Sequence, residues 1–564
     1  MIAGTWFGDA NVTALSYGLR EGPPIVTRPF VSLTGVPAWI DLERAVVDGF
    51  FRFSPAHARV AGDHAFDGVV GDASTSTIQA RLHEIDGQLE GLGSAGGLAK
   101  DEHVDRRALT AQLEAARFEL TEQRTPFREP LYYAGSGSEL DVSAYLKRDY
   151  APLEERLASL RKHLSGYAGY LESARANLEP VLPGATLEIA IEATQGQADY
   201  LQTEVLAVAR DDAETAVAID GALVHLRGFV QFLKVRRRAA RDNYALGATA
   251  FQRFLHLREL VDLDIATLDR MVAEDIARNT ARAEEVAEKI ARDRGLSAAV
   301  ASLEDDHPTA ESIIQDVREM LEGIRTFVVE RDLMSIPSEV RCLVAPTPSY
   351  AAYISAALDS VGPLERVASE SYYYVTLPGP DWGPQRSDEW LRSLNYPVLV
   401  NTSIHEAYPG HYVQSLHERG ATSLSRRLFW VQSTGEGYAH YCEQMMLEAG
   451  YSDDPRHELA QLMDALLRDC RAFVALGLHC HGMAMDDAVQ AFTRIARQGK
   501  LPATREAMRG AWDPLYLNYT LGKLLIYELR REHERDPTYS MKTFHDAFLR
   551  CGNLPIPLIR ELLA

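Results

Sequence analysis

The sequence predicts a mainly α-helical protein in which two helical lobes flank a cleft and a small β-sheet lies beside it. From about residue 38 onward, apolar residues recur at intervals of three and four with charges between them, which is the pattern of amphipathic helices. Only the segments 340–344 and 371–377 alternate as strands do. The 564-residue length exceeds the size at which one core usually divides, so we expect lobes that share a core.

The elements of the first lobe follow an irregular start. Residues 1–37 are rich in Gly, Pro and Thr and predict an arm without regular structure. Residues 38–280 form the predicted helical lobe, in which Leu42, Val46 and Phe50 stand at helical spacing and Ser74 is a candidate N-cap. Further helices are predicted near 74–92, 101–122, 150–178, 186–211, 213–240 and 264–293.

The second predicted lobe, 281–564, contains the two candidate strands and then more helices. Pro397 suits the first turn of a helix, where its missing N–H group costs nothing. The predicted helices are 387–394, one from about 397, 424–450, 456–482, 485–498, 513–534 and 538–550.

The charge and cysteine content limit the partners and the compartment. A net charge of −22 argues against nucleic acid or an anionic membrane as a partner, because both attract clustered Lys and Arg. Five cysteines without a pairing pattern fit a reducing compartment. The first residues lack a basic segment followed by an apolar one, and no apolar run of about 18 residues occurs, so we expect a cytoplasmic protein. The sequence does not determine the oligomeric state, for which a homodimer is considered.

Two motifs in the last third of the chain carry candidate metal ligands. The first runs from Asn401 to Gln414 and contains His405, Glu406 and His411; the second, Gly435-Glu-Gly-Tyr-Ala-His-Tyr-Cys-Glu443, contains Glu436. Zinc hydrolases use neutral imidazoles and a carboxylate as ligands and a further carboxylate as base. We therefore predict one Zn²⁺ held by His405, His411 and Glu436, with Glu406 as general base; manganese or cobalt would accept the same ligands.

The spacing of the two histidines requires an interrupted helix. Six residues correspond to about 240° around a regular helix, so His405 and His411 would point apart. Pro409 removes a helix donor and Gly410 tolerates unusual dihedrals, and together they predict a bulge that absorbs two extra residues. The alternative is that both histidines are ordinary polar residues next to a loop.

The string His-Glu-x-x-Pro-Gly-His resembles the signature of domain of unknown function 885, whose members are similar to glutamate-zincin peptidases such as thimet oligopeptidase and carboxypeptidase Taq. The family's second motif, Glu-Gly-Trp-Ala-Leu-Tyr-Ala-Glu, corresponds to residues 436–443 here. The resemblance covers roughly residues 40–564. It implies that Glu436 is the third ligand, that Glu443 supports a ligand, and that Tyr519 near Gly522 lies over the metal as a donor to the reacting oxygen.

The resemblance also implies a substrate-binding strand edge at residues 372–376, with Tyr373 supporting the site or contacting substrate. Backbone groups of such an edge pair with an extended peptide. Three consecutive tyrosines are more often simply strand-forming residues with one buried face.

Three positions depart from the family's pattern. His440 replaces an aliphatic residue four positions after Glu436, where it could bind the metal or hydrogen-bond that glutamate. Ala475 replaces an aspartate and Tyr412 replaces a second histidine. These changes leave the predicted metal site intact but put a generic family substrate in doubt.

Other polar residues near the motifs are candidates for substrate binding. Arg471 and His479 lie eight apart on one apolar helix and could bind a substrate carboxylate or support the ligands. Tyr516 and Tyr527 are alternatives to Tyr519 as the donor.

Three functions are compatible with these residues. The favoured one is a zinc peptidase or carboxypeptidase acting on short peptides. The second is a metalloenzyme of specialised metabolism that hydrolyses a non-peptide amide or ester, or catalyses a lyase-type reaction. The third is a non-catalytic helical scaffold, against which the retained Glu406 counts.

Overall fold

A computed structural model of the chain describes residues 38–135, 137–348, 354–379 and 381–564. The predicted arm, 1–37, lies outside the described residues. From Trp39 to Ala564 the chain packs as one unit, and the lobe boundary near residue 280 stays a prediction. The mainly α-helical class with a small sheet is confirmed.

The helices before the sheet form the first half of the chain. They are α1 (Trp39–Phe53), α2 (Pro55–Ala61), α3 (Thr75–Ser94), α4 (Lys100–Phe118), α5 (Thr125–Arg128), α6 (Ala144–Lys147), α7 (Leu153–Ser165), α8 (Tyr167–Asn177), α9 (Gly184–Tyr200), α10 (Leu206–Val208), α11 (Ala213–Arg236), α12 (Ala248–Glu259), α13 (Ile265–Ala291), α14 (Gly295–Leu303) and α15 (Ile313–Glu330).

The sheet and the remaining helices follow. They are β1 (Leu343–Pro346), β2 (Ala356–Asp359), β3 (Tyr372–Val375), α16 (Pro384–Ser393), α17 (Tyr396–Glu406), α18 (His411–Arg419), α19 (Leu424–Leu428), α20 (Gln432–Glu448), α21 (Pro455–Cys480), α22 (Met485–Arg494), α23 (Lys500–Trp512), α24 (Asn518–His533), α25 (Met541–Arg550) and α26 (Ile556–Leu563).

Local signals place several helix starts. The Ser74 side chain accepts a hydrogen bond from the Thr77 N–H and caps α3. Asn395 caps α17 in the same way, and Pro397 lies in the first turn of that helix as predicted. The predicted helix 424–450 is instead two helices, α19 and α20, because the chain is extended at Phe429 and Val431 between them.

The helix α11 contributes to the core of the N-terminal half. Its buried residues, among them Ile219, Leu226 and Leu233, pack in a cluster with α7, α8 and α9. Among the described residues, the segment Ala213–Ala239 is the one helix whose length and composition would allow it to cross a membrane, and 39% of its most apolar window is buried. A core helix satisfies the same criterion.

The small sheet has the strand order β1-β3-β2, with β1 parallel and β2 antiparallel to β3. The expectation that residues 372–376 offer a free edge is therefore wrong, since β3 is paired on both sides. Its alternate residues, Tyr373 and Val375, are buried in the core. β2 was not predicted from the sequence and is an edge strand of the described sheet.

Candidate metal centre

The first motif folds as two helices with a tight break between them. α17 ends at Glu406 and α18 begins at His411, so the predicted bulge within one helix is a full interruption. The N–H of Gly410 donates to the Ile404 carbonyl over 3.0 Å. A Cβ atom at Gly410 would lie 1.9 Å from the His405 carbonyl oxygen, so this return of the chain requires glycine.

The break brings His405 and His411 together with Glu436 of α20. The potential ligand atoms of the three residues all lie within 4.8 Å of one another. Glu436 Oε2 is 3.5 Å from His405 Nε2 and 3.4 Å from His411 Nε2. Ligands about 2.0–2.1 Å from a tetrahedral Zn²⁺ lie roughly 3.4 Å apart. The donor set and the two carboxylate–imidazole distances therefore fit a zinc ion.

The charge distribution of the three residues also suits a cation. Burial alone would lower the pKa of His405, but its hydrogen bonds to Glu436 and Glu443 raise it to about 9. Burial would raise the pKa of Glu436, yet His405 and His411 hold it well below its ordinary value. The site thus stabilises a positive charge between two imidazoles and a carboxylate, and metal binding would have to release a proton.

A buried carboxylate orients the first imidazole. His405 Nδ1 donates to Glu443 Oε1 over 2.7 Å, which leaves the Nε2 lone pair for a metal. Arg468 contacts the same oxygen at 2.9 Å, and Asn401 donates to the other oxygen over 3.1 Å. Glu443 therefore contacts His405, and its role in support of a metal ligand stays a prediction.

Glu406 is held by the sheet and lies outside the group of three potential ligands. Its Oε2 accepts the N–H of Leu358, in β2, over 2.9 Å. The Thr376 N–H donates to the Ser355 carbonyl, and residues of an antiparallel pair direct their backbone groups alternately towards and away from the partner strand. Ala357 therefore directs its backbone groups towards β3, and Leu358 directs its N–H away from β3. The edge of β2 therefore lies against the candidate base.

Tyr519 of α24 lies among arginine side chains near Glu436. Its hydroxyl accepts a hydrogen bond from Arg509 Nη2 over 3.3 Å, and the Arg471 guanidinium lies 4.9 Å from its ring centroid. Burial raises the pKa of Tyr519 to about 12, with Arg509 opposing and Glu436 adding to the rise. The hydroxyl is therefore protonated at neutral pH and its hydrogen is not used by Arg509.

The alternative tyrosines lie elsewhere. The Tyr527 hydroxyl donates to Glu448 Oε1 over 3.0 Å. Tyr516 is fully buried, and its hydroxyl oxygen has no hydrogen-bond partner in the described part of the chain. Tyr373 is also fully buried and its hydroxyl lies 3.5 Å from Ser403 Oγ, so it packs beneath α17 and does not line an open surface.

His440 supports Glu443 and is not in the group of potential ligands. Its Nδ1 lies 3.3 Å from Glu443 Oε2, and burial lowers its pKa to about 3, so the ring is neutral. It makes no hydrogen bond to Glu436 among the described contacts, so its contacts agree with neither of the two roles considered for it. Ala475 lies in a hydrophobic cluster whose helices include α12, α21 and α24.

The expected roles of Arg471 and His479 do not agree with their contacts. Arg471 forms two hydrogen bonds to Glu506, of 2.8 and 2.7 Å, so its guanidinium already binds a carboxylate. His479 bonds the Gly510 carbonyl through Nε2 and the Leu246 N–H through Nδ1. Both ring nitrogens are thus used by backbone groups, and His479 supports the fold.

Asn401, Arg468 and Arg509 contact the candidate site residues and were not predicted from the sequence. Asn401 stands one helical turn before His405, a spacing that could have identified it. Arg468 stands one turn before Arg471 on α21. Arg468 and not Arg471 contacts Glu443, and the sequence does not show which of the two arginines faces that carboxylate. Arg509 comes from α23, and no local pattern connects it to Tyr519.

Comparison with known proteins shows the fold and the family. The chain is similar to the solved structure of a "putative lipoprotein of unknown function" from Shewanella oneidensis, with a TM-score of 0.78 and 22% identity over 93% of this chain and 100% of the other. It is also similar to the solved structure of a "putative lipoprotein" from Colwellia psychrerythraea, with a TM-score of 0.79 and 16% identity over 93% of this chain and 98% of the other. At these identities the likeness shows the fold alone. No curated protein matches the chain.

The family model described as "Bacterial protein of unknown function (DUF885)" matches residues 55–563. This match includes both motifs and most of the described helices, in agreement with the resemblance drawn from the residues. The relationship of this family to glutamate-zincin peptidases stays an expectation. The chain belongs to the DUF885 family.

Proposed function

We propose that this protein is a zinc-dependent hydrolase that cleaves amide bonds, most simply those of short peptides. The observation that carries the proposal is the set of His405, His411 and Glu436, whose closest donor atoms are 3.4–3.5 Å apart. Support comes from Glu443, which fixes the His405 tautomer, and from Glu406, a carboxylate left free of the ligand set. This combination is typical of hydrolytic zinc sites.

Each residue has a defined task in this proposal. A Zn²⁺ ion held by His405, His411 and Glu436 would supply Lewis acidity and would lower the pKa of water at the site towards about 7. Glu406 accepts the proton of the attacking water and returns it to the leaving amine. The Leu358 N–H holds the Glu406 carboxylate at 2.9 Å and limits its rotation. The base is thus oriented by a strand and not by a flexible loop.

Tyr519 is the proposed donor to the developing oxyanion. Because Arg509 donates to its hydroxyl oxygen, the hydroxyl hydrogen remains available to a substrate oxygen. A tyrosine with a pKa of about 12 keeps that hydrogen at neutral pH. Such a donor typically contributes about 10²–10³ in rate.

The edge of β2 is the proposed binding site for an extended substrate backbone. The backbone groups of Ala356 and the carbonyl of Leu358 point away from β3, whereas the Leu358 N–H is already used by Glu406. A peptide paired with this edge would bring a carbonyl next to the base. The Arg471–Glu506 pair gives no support to Arg471 as the site of a free C-terminal carboxylate, so the proposal is a peptidase without a fixed preference for chain ends.

A non-peptide amide or ester substrate is the second candidate. His440, which departs from the family's pattern, contacts the carboxylate that orients His405 and so alters the surroundings of a ligand. Digestion of a peptide library separates the two candidates. Defined cleavage supports a peptidase, and zinc content without any peptide cleavage supports the second candidate.

Elemental analysis of the purified protein tests the metal site first. We expect about one zinc per chain, which His405→Ala, His411→Ala and Glu436→Ala each abolish. His417→Ala is the matched control, because His417 lies on the same helix as His411 and bonds the Ser335 carbonyl instead. Glu406→Gln should keep zinc and lose hydrolysis. A wild-type protein that takes up no transition metal after resupply would overturn the proposal.

The location of the protein is a separate question for experiment. The names of the two similar structures favour an anchored or exported protein, whereas all five cysteines here are free and four of them are buried. Unpaired thiols favour a reducing compartment, so we propose the cytoplasm for this chain. Cell fractionation checks this, and recovery with membranes would contradict it.

A further inference from the structure

Trp430 is an exposed aromatic side chain next to the candidate metal centre. It lies between α19 and α20, and 51% of its surface is exposed. The centroid of its ring system is 6.0 Å from the centroid of the His411 ring, with 55° between the planes. The exposed indole therefore lies beside the candidate ligand His411.

A glycine creates the position of this indole. A Cβ atom at Gly435 would lie 2.2, 2.4 and 2.8 Å from three atoms of the Trp430 six-membered ring. Any larger residue would displace the ring. Gly435 immediately precedes the candidate ligand Glu436, so the indole lies directly on the first turn of the helix that carries this ligand.

The residues on both sides fix the backbone of Trp430. Phe429 packs edge to face on Phe50 at 4.9 Å between centroids. Val431 is buried and its N–H donates to Asn553 Oδ1 over 3.2 Å. The half-exposed indole is thus held between two anchored neighbours, and its exposure does not arise from a loose loop.

A fixed, half-exposed indole leaves apolar surface in water that a ligand could cover. Single exposed apolar side chains are common and need no explanation by themselves. Here, however, the indole combines a fixed backbone, a seat made by glycine and contact with His411. Aromatic surfaces in this situation bind aromatic or bulky apolar groups by stacking and burial.

We propose that Trp430 forms the wall of a substrate subsite that binds an aromatic or bulky apolar side chain beside the scissile bond. The position of this subsite beside a scissile bond rests on the proposed hydrolase function. The binding of an apolar side chain to the indole surface does not depend on that function. Trp430 is thus a specificity-determining residue, and Gly435 is the residue that positions it.

Fluorine NMR of the apoprotein labelled with 5-fluorotryptophan tests binding without metal or activity. The chain has six tryptophans, and the Trp430 resonance is the one that Trp430→Phe removes. We expect Ala-Phe-Ala to shift this resonance in a saturable way and Ala-Ala-Ala to leave it unchanged. Equal effects of the two tripeptides, or no effect of either, would overturn the subsite.

Kinetics of the zinc-loaded protein test the same subsite by substrate preference. In Trp430→Ala the preference in kcat/KM for a phenylalanine substrate over its alanine analogue should fall about tenfold, mostly through KM. Trp430→Phe should keep most of this substrate preference. Gly435→Ala should reduce the preference although the indole remains, because the added methyl group displaces the ring. Phe473→Ala is the matched control, since Phe473 is another exposed aromatic (36%) on α21.

The two proposals fail in different ways. A purified protein that takes up no transition metal after resupply, but whose Trp430 resonance responds to Ala-Phe-Ala, would overturn the hydrolase proposal and support the subsite. A zinc enzyme in which Trp430→Ala lowers turnover of both substrates equally, or changes neither, would overturn the subsite. Zinc content is measured for each variant to separate loss of metal from loss of preference.

Discussion

At the residue scale, the buried carboxylate of Glu443 governs the candidate metal centre. It is fully buried and is approached by His405, Arg468, Asn401 and His440. Burial alone would raise its pKa, but Arg468 and the two histidines hold the pKa of Glu443 well below its ordinary value. The carboxylate therefore stays ionised and keeps His405 in the tautomer that a metal needs.

Replacing Glu443 by glutamine should weaken zinc binding about 10–100-fold, because the amide orients His405 less strongly and lowers its basicity. Competition with a chelator of known affinity measures the change. Glu448→Gln is the control, since Glu448 ends the same helix and bonds Tyr527 and Arg530 away from the site. Arg468 also loses its counter-ion, so a thermal melt should accompany the titration. Unchanged zinc affinity would contradict the role of Glu443.

Removing the Tyr519 hydroxyl should slow turnover without changing metal content. In Tyr519→Phe we expect kcat to fall about 10²–10³-fold, since the oxyanion loses one donor. Tyr527→Phe should have no such effect, because that hydroxyl bonds Glu448. Steady-state kinetics with zinc analysis of each variant decide the matter, and equal rates for both variants would exclude Tyr519 as the donor.

At the scale of elements, two helices touch through their backbones at the site. A Cβ atom on Gly437 of α20 would lie 2.5 Å from Gly522 Cα, and one on Gly522 of α24 would lie 2.1 Å from the Ser433 carbonyl oxygen. Gly437 follows Glu436 and Gly522 lies three residues after Tyr519. The glycine contact therefore sets the distance between the candidate ligand and the candidate donor.

Gly522→Ala should destabilise the protein by about 1–3 kcal/mol, because the added methyl group forces α20 and α24 apart. Gly323→Ala is the matched control: Gly323 lies within α15, and its Cβ would meet nothing within 4 Å. That change should stabilise by up to about 1 kcal/mol through helix propensity. Chemical denaturation gives both values. A Gly522→Ala protein as stable as Gly323→Ala would show that the helices can separate freely.

At the scale of the whole molecule, buried neutral histidines connect distant segments. His163 bonds Tyr145 and the Glu139 carbonyl. His545 of α25 donates a hydrogen bond from Nδ1 to the Leu333 carbonyl over 2.8 Å. Its Nε2 accepts a hydrogen bond from the Tyr441 hydroxyl, also over 2.8 Å. Burial lowers the pKa of His545 to about 4, although the Leu333 bond opposes this. Such a histidine favours the folded state only while it is neutral.

The contribution of His545 to stability should therefore be lost in acid. Its pKa is about 6.5 when unfolded and about 4 when folded, so below pH 6.5 the unfolded chain binds a proton that the folded chain does not. His545→Asn can still donate to Leu333 but cannot titrate. Between pH 7 and pH 4.5 the wild type should lose on the order of 2 kcal/mol more stability than the variant. Denaturant titrations at both pH values measure this, and parallel losses would contradict it.

Local patterns predicted those elements whose signals lie within a few residues. The Ser74 cap, the first-turn Pro397 and the interruption at Pro409 and Gly410 each depend on short-range backbone geometry. The length of the interruption was not predictable, because it depends on how closely Gly410 approaches the His405 carbonyl. β2 was missed because four residues of weak alternation acquire strand structure only by pairing with β3.

The sequence by itself determined the helical class, the family and the candidate ligands, since His405, His411 and Glu436 belong to two neighbouring motifs with recognisable residue chemistry. Only the tertiary structure decided which side chains surround them. Arg468 faces Glu443 while Arg471 is bound to Glu506, and Trp430 lies on Gly435. The physical reason is that these arrangements depend on how whole helices pack. Packing brings together residues that are far apart in the sequence, and no local sequence pattern indicates such a contact.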